Sequence, residues 1–288
     1  MISEKKIDLH MHSTVSDGSD TPEEIVARVK ESGIGVFSVT DHDAIKAGTI
    51  IRKMLSNGDL AFICGAEFSC EDEFGNYHIL AYFDDPSAAS INGLVEKGHA
   101  LRMQKLTTRL DYLNKEFGFA FPRDEVDKLM SLDNPGKPHI GNLMVKLGYA
   151  DSIKTAIYDY INKLHVSNSH VRPEDAIENI LGGNGIPVLA HPFFGDGDQL
   201  VVGSEMEQRL KRLMKFGLCG VEAFYSGFTR KLTKEMLGLA DKYGLFVTAG
   251  SDYHGKNKMV CLGDNGLDDA DEYPSGLVRF LEKFGVEV

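Results

Sequence analysis

The sequence lacks paired cysteines and long apolar stretches. Its four cysteines, Cys64, Cys70, Cys219 and Cys261, form no CxxC motif, and two of them lie in apolar runs where cysteine usually acts as a small hydrophobic residue. No stretch approaches the length of a transmembrane helix, and no apolar leader precedes the first motif. We therefore expect a soluble, unexported protein of the reducing cytoplasm that does not associate with a membrane.

The sequence also lacks an excess of positive charge. It contains 31 lysine and arginine residues against 43 acidic residues, which gives a formal net charge of −12. This balance argues against a basic surface for sequence-independent nucleic-acid binding, although it is compatible with a local basic pocket. The 288 residues, of which 42% are apolar, suffice for one large α/β domain or for a core domain that carries an insertion.

Short apolar runs rich in valine, isoleucine and phenylalanine recur along the chain and predict buried strands. Amphipathic helical patterns lie between them; Thr21 and Pro22 open one helix, and Pro173 opens another. This repeated β–α pattern favours a barrel or an open parallel sheet. The predicted strands span residues 6–10, 35–40, 60–67, 77–83, 186–190, 220–224 and 245–250.

Two features make a regular barrel unexpected. Glu67 ends the third predicted strand, a polar turn covers residues 70–76, and His78 begins the fourth strand. The Glu67 and His78 side chains can therefore lie at the same rim of the barrel only if these two strands form a hairpin. The interval 93–170 carries helical periodicity with almost no strand signal. We therefore expect an α/β fold, a distorted TIM-like (β/α)7 barrel over residues 1–92 and 171–288, with a helical insertion over 93–170 that covers the active site.

Histidine and aspartate are concentrated in short runs, most of which end an apolar strand-like stretch. Neutral imidazole and ionised carboxylate are the ligands that suit zinc, manganese and iron. In barrels of this kind the active site is assembled from the loops that follow successive strands, so residues distant in sequence can converge there. His10 and His12 alternate along one strand end, and their side chains therefore point to the same face.

The motifs are found in residues 8–13 (DLHMHS), 16–18 (SDG), 39–43 (VTDHD), 65–69 (GAEFS), 77–80 (YHIL), 189–192 (LAHP) and 250–254 (GSDYH). Together they resemble the PHP (polymerase and histidinol phosphatase) family. Within that family the chain is most similar to the stand-alone phosphoesterases of the amidohydrolase superfamily that include 3′,5′-nucleotide bisphosphate phosphatases. The resemblance covers nearly the full chain, and no ligand position of the family pattern is missing.

The resemblance implies a trinuclear centre of two to three divalent ions, for which Mn²⁺, Fe²⁺ and Zn²⁺ are equally suitable. Two ions bridged by one carboxylate can lower the pKa of a shared water to give hydroxide near neutral pH, while a third binds phosphate oxygens. The implied ligands are His10, His12, Glu67 and Asp252 for the first ion, Glu67, His78 and His191 for the second, and Asp17, His42 and His254 for the third.

Basic residues of the insertion are the candidate substrate contacts, because a phosphate also needs donors that are not metals. Arg102 and Lys105 form one cluster, while Lys137 and His139 lie in a Gly-Pro turn that resembles the substrate-contacting segment of the phosphatase relatives. The leaving alkoxide needs a proton, for which His139, Asp17 and metal-bound water are alternatives. The residues assigned to catalysis are Glu67, His191, Asp252 and His139.

Neighbouring residues have less definite roles. Asp8 is a candidate acceptor that orients a liganding histidine, and Asp41 and Asp43 either support His42 or are solvated loop acids. His99, His165 and His170 have no ligand context, while Phe224 and Tyr225 either stack on a base or pack in the core.

The metal chemistry and the resemblance imply hydrolysis of a phosphoester by a metal-bridging hydroxide. The expected substrate is a small nucleotide phosphomonoester, such as the 3′-phosphate of a nucleoside 3′,5′-bisphosphate, with inorganic phosphate as product and no stable binding of duplex nucleic acid. The alternatives are a 5′–3′ exonuclease on short RNA or DNA, a histidinol-phosphate phosphatase, and a non-catalytic PHP module.

Overall fold

The structure is a computed structural model that describes residues 6–55, 60–166, 169–194 and 200–287. In these ranges the predicted apolar runs form strands. Three of the strands are buried along their whole length: Ile34–Phe37, Ile186–Leu189 and Gly220–Tyr225. The strands are β1 (Lys6–Asp8), β2 (Ile34–Phe37), β3 (Ala61–Phe62), β4 (Cys64–Asp72), β5 (Gly75–Phe83), β6 (Ile186–Leu189), β7 (Gly220–Tyr225) and β8 (Phe246–Gly250).

The predicted strand over residues 60–67 is in fact two strands that belong to different sheets. β3 pairs in parallel with β2, whereas β4 pairs with β5 as the predicted antiparallel hairpin. The prediction that Glu67 ends its strand is wrong, because β4 continues to Asp72 and its ladder with β5 remains paired as far as Gly75. The polar residues 70–76 are therefore mostly strand, and the tight turn needs the positive φ of 135° at Gly75.

The strand ladders of the described residues form two sheets rather than one closed barrel. β1, β2 and β3 make a parallel sheet, and β4 to β8 make a sheet in chain order that is antiparallel at β4–β5–β6 and parallel from β6 to β8. Backbone hydrogen bonds join the edges of the two sheets: Leu9 N–H donates to the Ala249 carbonyl at 2.8 Å, and Glu67 N–H donates to the Asp41 carbonyl at 3.2 Å. The carboxyl ends of β1, β2, β6 and β8 are followed by the histidine and aspartate motifs.

Both predicted helix starts are confirmed. The Thr21 hydroxyl accepts from Glu24 N–H at 3.2 Å, the Glu24 carboxylate accepts from Thr21 N–H at 2.8 Å, and proline occupies the first turn of α1 and α7. The helices are α1 (Pro22–Glu31), α2 (Lys46–Met54), α3 (Ala89–Phe117), α4 (Arg123–Met130), α5 (Lys137–Lys146), α6 (Ile153–Thr155), α7 (Pro173–Gly182), α8 (Gly203–Met214), α9 (Arg230–Tyr243) and α10 (Ser275–Lys283).

The segment from α3 to α6 is helical, as the sequence predicts, and has an apolar cluster of its own. Leu106, Leu110 and Leu113 of the 29-residue α3 pack there with Leu143 of α5 and Ile161 beyond α6. The main core instead lies between the five-stranded sheet and helices α7 to α10. A fully buried aromatic side chain such as one in this core contributes roughly 1.5–3 kcal/mol.

No helix in the described part of the chain is both long and apolar enough to cross a membrane. All four cysteines carry free thiols, and Cys64 and Cys70 are buried. Burial raises the pKa of the Cys219 thiol to about 11, which leaves it protonated and unreactive at neutral pH.

Candidate metal centre

The β4–β5 hairpin brings Glu67 beside His78. Ser69 lies directly opposite His78 in the ladder, and Glu67 shares a face with Ser69 because side chains alternate along a strand. Glu67 and His78 are therefore diagonal neighbours on one face, and Glu67 Oε1 lies 2.8 Å from His78 Nδ1. A parallel connection between these strands would have separated the two side chains.

The Glu67 carboxylate is the hub of the site. It is 1% exposed, and its two oxygens face different histidines. Oε1 lies 3.2 Å from His191 Nε2 in addition to its contact with His78. Oε2 lies 3.3 Å from His10 Nε2, 3.1 Å from His12 Nε2 and 3.2 Å from His42 Nδ1. One carboxylate thus connects two groups of imidazoles, which is the arrangement of a bridging ligand.

Four donor atoms form the first group: His10 Nε2, His12 Nε2, Glu67 Oε2 and Asp252 Oδ1. The two imidazole nitrogens are 3.2 Å apart, and Asp252 Oδ1 lies 3.5 Å from His10 Nε2 and 3.4 Å from His12 Nε2. A tetrahedral site with metal–ligand bonds of about 2.0–2.1 Å separates its donors by about 3.4 Å. The measured spacings fit such a site.

The second predicted group is also assembled. His78 Nδ1 lies 3.2 Å from His191 Nε2, and both nitrogens face Glu67 Oε1. His42 lies on the other side of the Glu67 carboxylate, so Glu67, His78 and His42 also form a compact donor set. His42 therefore lies between the second and third predicted groups.

Asp17 organises the third group. Its carboxylate lies 3.3 Å from His254 Nε2, 3.9 Å from His42 Nε2 and 3.7 Å from His12 Nδ1. The predicted ligands of the third ion are thus close together, with His12 as an additional neighbour. All nine residues predicted as metal ligands converge on one region.

The chemistry of these donors fits divalent cations. Burial opposes ionisation of Glu67, Asp17 and Asp252, but the surrounding histidines hold the pKa of each carboxyl well below its ordinary value. Three buried carboxylates need compensating positive charge. Within the described residues, His42 Nδ1 is buried and makes no hydrogen bond, as expected for a nitrogen whose lone pair is directed at a cation.

Glu222 supports the metal centre and was missed in the sequence. It is fully buried on β7; Oε1 lies 2.9 Å from His10 Nδ1, and Oε2 accepts from His191 N–H at 2.7 Å. A carboxylate behind a liganding histidine fixes the tautomer, which leaves the Nε2 lone pair of His10 facing the metal site. Its signal in the sequence is an acid inside an otherwise apolar strand.

Asp8 does not hold the His10 ring, so the predicted orienting role belongs to Glu222. The Asp8 carboxylate instead accepts from Ser251 N–H at 2.9 Å, from the Ser251 hydroxyl at 2.6 Å and from Gly263 N–H at 2.8 Å, and thereby ties β1 to the chain beyond β8. Asp252 is held from behind by the Tyr225 hydroxyl at 2.9 Å and by the Lys258 ammonium.

Backbone strain is concentrated at the site. Asp43, His191 and Asp252 have φ values of 48°, 27° and 57°, which are uncommon for residues other than glycine. Such conformations persist where surrounding contacts over-determine them. At His191 the hydrogen bond from its N–H to Glu222 is such a contact, so Glu222 fixes both the His10 ring just after β1 and a strained turn after β6.

A cavity of about 380 Å³ lies over the metal-site residues. Arg102, Lys105 and Lys137, three of the predicted substrate contacts, line it; their contact with substrate stays a prediction. His139 does not line it among the described residues; it faces a neighbouring cavity, and its Nδ1 accepts from Gly136 N–H at 3.0 Å. Arg102 donates to Asp43 Oδ2 at 3.1 Å, so Asp43 is not a solvated loop acid.

Three cavity residues were not assigned to substrate from the sequence. Arg109 lies on the same helical face as Arg102 and Lys105, at the i, i+3, i+7 spacing that could have revealed it. Arg209 of α8 is 8% exposed and its guanidinium lies 5.1 Å from the Tyr77 ring centroid. Phe194 presents an aromatic side chain that is 36% exposed.

A family model described as PHP domain matches residues 8–288. The chain belongs to the PHP family. Among its relatives, a phosphoribosyl 1,2-cyclic phosphate 1,2-diphosphodiesterase of Eggerthella lenta is 28% identical over 86% of this chain and 94% of its own length. A 5′-3′ exoribonuclease of Haemophilus influenzae is 27% identical over 97% and 99% of the two chains. A 3′,5′-nucleoside bisphosphate phosphatase of Chromobacterium violaceum is 26% identical over 86% and 87%.

The PHP fold is also seen in a solved structure. A candidate metal-dependent phosphoesterase from Bifidobacterium adolescentis superposes with a TM-score of 0.79 at 25% identity, over 99% of this chain and 98% of that one. The three relatives above are all named as enzymes that cleave phosphate esters. The predicted membership of the PHP family and the predicted hydrolase class are therefore confirmed.

Proposed function

We propose that this PHP protein is a metal-dependent phosphoesterase that removes a phosphate from a nucleotide, such as the 3′-phosphate of a nucleoside 3′,5′-bisphosphate. The observation that carries the proposal is the position of the Glu67 carboxylate, with its two oxygens between two groups of imidazoles, below a cavity lined by cations. When bound, divalent ions supply Lewis acidity that activates water and stabilises charge on the phosphoryl oxygens.

The proposed ligands are those that the sequence predicts, in sets that share Glu67. His10, His12 and Asp252 complete the first set, His78 and His191 the second, and Asp17, His42 and His254 would hold a third ion. The chain's own contribution is orientation: Glu222 fixes the ring of His10, and Tyr225 and Lys258 hold the outer oxygen of Asp252 so that Oδ1 faces the histidines. Mn²⁺, Fe²⁺ and Zn²⁺ all fit this donor chemistry.

A substrate with a second phosphate is favoured by the basic wall of the cavity. Arg102, Lys105 and Arg109 lie along one face of α3, and Lys137 joins them from α5. Guanidinium and ammonium groups are the donors that bind phosphate oxygens. Phe194 adds an apolar surface on which a base can stack. Phe224 and Tyr225 are too buried for that role.

The second candidate is a 5′–3′ exonuclease on short RNA or DNA, favoured by the relative from Haemophilus influenzae, which matches this chain almost end to end. It would use the same metal centre on a phosphodiester. Histidinol-phosphate phosphatase activity and a non-catalytic module stay as weaker alternatives, and the complete donor set argues against the latter. For the leaving group, water is favoured as proton source: His139 is not among the described residues that line the cavity, and the surrounding histidines hold the pKa of Asp17 well below its ordinary value, so its carboxylate has no proton to give.

We also propose that the two sheets form one distorted barrel under a helical insertion. The hydrogen bonds of Leu9 with Ala249 and of Glu67 with Asp41 support the barrel, and the separate apolar cluster of α3 to α6 supports residues 93–170 as a distinct unit beside 1–92 and 171–288. Binding of small phosphorylated compounds, release of inorganic phosphate and a cytoplasmic location stay predictions.

A phosphate-release screen tests the function. Purified protein with Mn²⁺ is expected to release phosphate from nucleoside 3′,5′-bisphosphates faster than from mononucleotides, histidinol phosphate, cyclic phosphates or short oligonucleotides. The wild type is expected to contain between two and three equivalents of metal, and Asp252→Ala and His191→Ala are expected to lower this content and to abolish phosphate release. Full activity in either variant contradicts the assignment, and preferential trimming of oligonucleotides favours the exonuclease.

A further inference from the structure

Three basic side chains lie along one face of α3. Arg102, Lys105 and Arg109 all line the cavity, and like charges at this helical spacing repel one another. Asp43 pairs with Arg102. In the part of the chain that the structure describes, Arg109 Nε is buried and makes no hydrogen bond. Basic groups that are partly buried at a cavity wall are stabilised in their charged form when an anion enters the cavity.

Lys105 is held by a chain of polar contacts that does not involve the metal ligands. Its side chain is 7% exposed, and Nζ contacts His170 Nε2. His170 Nδ1 in turn lies 3.1 Å from Glu71 Oε2. Because carboxylate oxygens accept hydrogen bonds, Nδ1 carries the ring proton and Nε2 presents its lone pair to the amine. His170, which the sequence left without a role, is therefore placed as a link between a carboxylate and a cavity amine.

The backbone around His170 is fixed against β4. Val171 N–H donates to the Ser69 carbonyl at 3.2 Å, and Glu71 N–H donates to the Val171 carbonyl at 2.9 Å. These two bonds flank His170 and Glu71, so the backbone from which both side chains project is fixed. The contact with His170 thus restrains the Lys105 amine, although lysine side chains are ordinarily mobile.

We propose that Glu71 and His170 are positioning residues, which hold the Lys105 amine in the cavity to bind the second anionic group of the substrate. This inference rests on the proposed phosphoesterase function. Lys105, held by Glu71 and His170, would then favour a substrate with two phosphates over a substrate with one.

The surrounding charges make anion binding by Lys105 favourable. Burial, followed by the guanidiniums of Arg102 and Arg109, lowers the pKa of Lys105 to about 6, and Lys137 acts in the same direction while Asp43 opposes it. Burial and Lys105 likewise lower the pKa of His170, so its imidazole is neutral and can accept. A phosphate dianion beside Lys105 restores the proton on the amine and gains a charge-assisted hydrogen bond.

The test measures binding of a nucleoside 5′-monophosphate, the product that would remain after loss of a 3′-phosphate, to the metal-loaded protein by titration calorimetry. Glu71→Ala and His170→Phe are expected to weaken binding about tenfold, the typical effect of losing one hydrogen bond to a charged group. His170→Gln is expected to retain affinity within about threefold, because an amide can also accept from the amine and donate to the carboxylate. Glu73→Ala is the matched control; this acid lies two residues from Glu71 but pairs with the exposed Arg172.

A double variant separates positioning from general damage. In a Lys105→Met background, His170→Phe should cause no further loss, because residues that act through one group are not additive. Unchanged binding in Glu71→Ala and His170→Phe, an additive loss in the double variant, or no binding to the wild type overturns the proposal. Phosphate release by the wild type is measured separately, so failure of the proposed function is distinguishable from failure of this inference.

Discussion

Replacing Glu222 by glutamine is the sharpest test of how the metal centre is oriented. The buried carboxylate uses one oxygen for the His10 ring at 2.9 Å and the other for His191 N–H at 2.7 Å. An amide of the same size has one acceptor oxygen, so its NH₂ group must face one of the two N–H donors. Loss of such a supporting partner typically lowers metal affinity 10–100-fold, or about 1.4–2.7 kcal/mol.

The assay is metal binding in chelator-buffered Mn²⁺ and Zn²⁺, followed by phosphate release at saturating metal. Glu222→Gln is expected to weaken metal binding 10–100-fold and to recover part of its activity when metal is in excess. Glu178→Gln, an exposed acid on α7, is the control for the charge change. A folded Glu222→Gln protein whose metal affinity lies within twofold of the wild type would refute the reasoning.

Gly250→Ala tests the contact between His10 and Glu222 by steric displacement. A methyl group at Gly250 would overlap the Cβ atom of His10 and the Glu222 carboxylate, so it must displace one of them. The expected result is the same loss of metal affinity with little change in kcat at saturating metal. Unimpaired metal binding in this variant would mean that the His10–Glu222 contact tolerates displacement.

Further predictions concern substrate, pH and stability. Lys137→Ala should raise KM about tenfold and leave the metal content unchanged, because Lys137 lines the cavity and is not one of the proposed metal ligands; altered metal content would contradict its placement. Burial and the guanidiniums of Arg102 and Arg109 lower the pKa of Lys105 to about 6, so above pH 6 anion binding requires proton uptake. KM for a bisphosphate should therefore rise with pH between 6 and 8 more steeply in the wild type than in Lys105→Met. If KM has the same pH dependence in both proteins, protonation of Lys105 is not the cause of the rise. Phe280→Ala, in the main core, should lower the free energy of unfolding by about 3–5 kcal/mol in denaturant titration. A loss below about 1 kcal/mol would mean that neighbouring side chains fill the space left by the phenyl ring.

The metal ligands were predictable because they lie in local motifs. His10 and His12 alternate on one strand end, and strand ends on one side of a parallel arrangement meet. The hairpin of Glu67 and His78 was predictable from the polar turn between two apolar runs. The extent of β4 was not, because its last residues are polar and their pairing depends on the partner strand and on Val171.

Supporting residues were harder to predict because their partners are distant in sequence. The sequence does not indicate the partner of Glu222, because His10 is 212 positions away and only the fold brings Glu222 Oε1 within 2.9 Å of His10 Nδ1. Asp8 was the nearer candidate for that role, but its carboxylate faces backbone donors instead. His170 has no motif of its own, and its position beside Lys105 depends on how α3 packs against α7.

The grouping of His10 and His12 with Asp252 has a consequence for folding. These donors lie near opposite ends of the chain, on the loops after β1 and β8, and Leu9 N–H already bonds to the Ala249 carbonyl. A cation held by these residues would link the two ends across a loop of about 240 residues, and it would add roughly 4 kcal/mol of stability at a free concentration 1,000 times its Kd. Removal of the metal should therefore destabilise the contact between β1 and β8 first, before the hairpin that carries Glu67 and His78 unfolds.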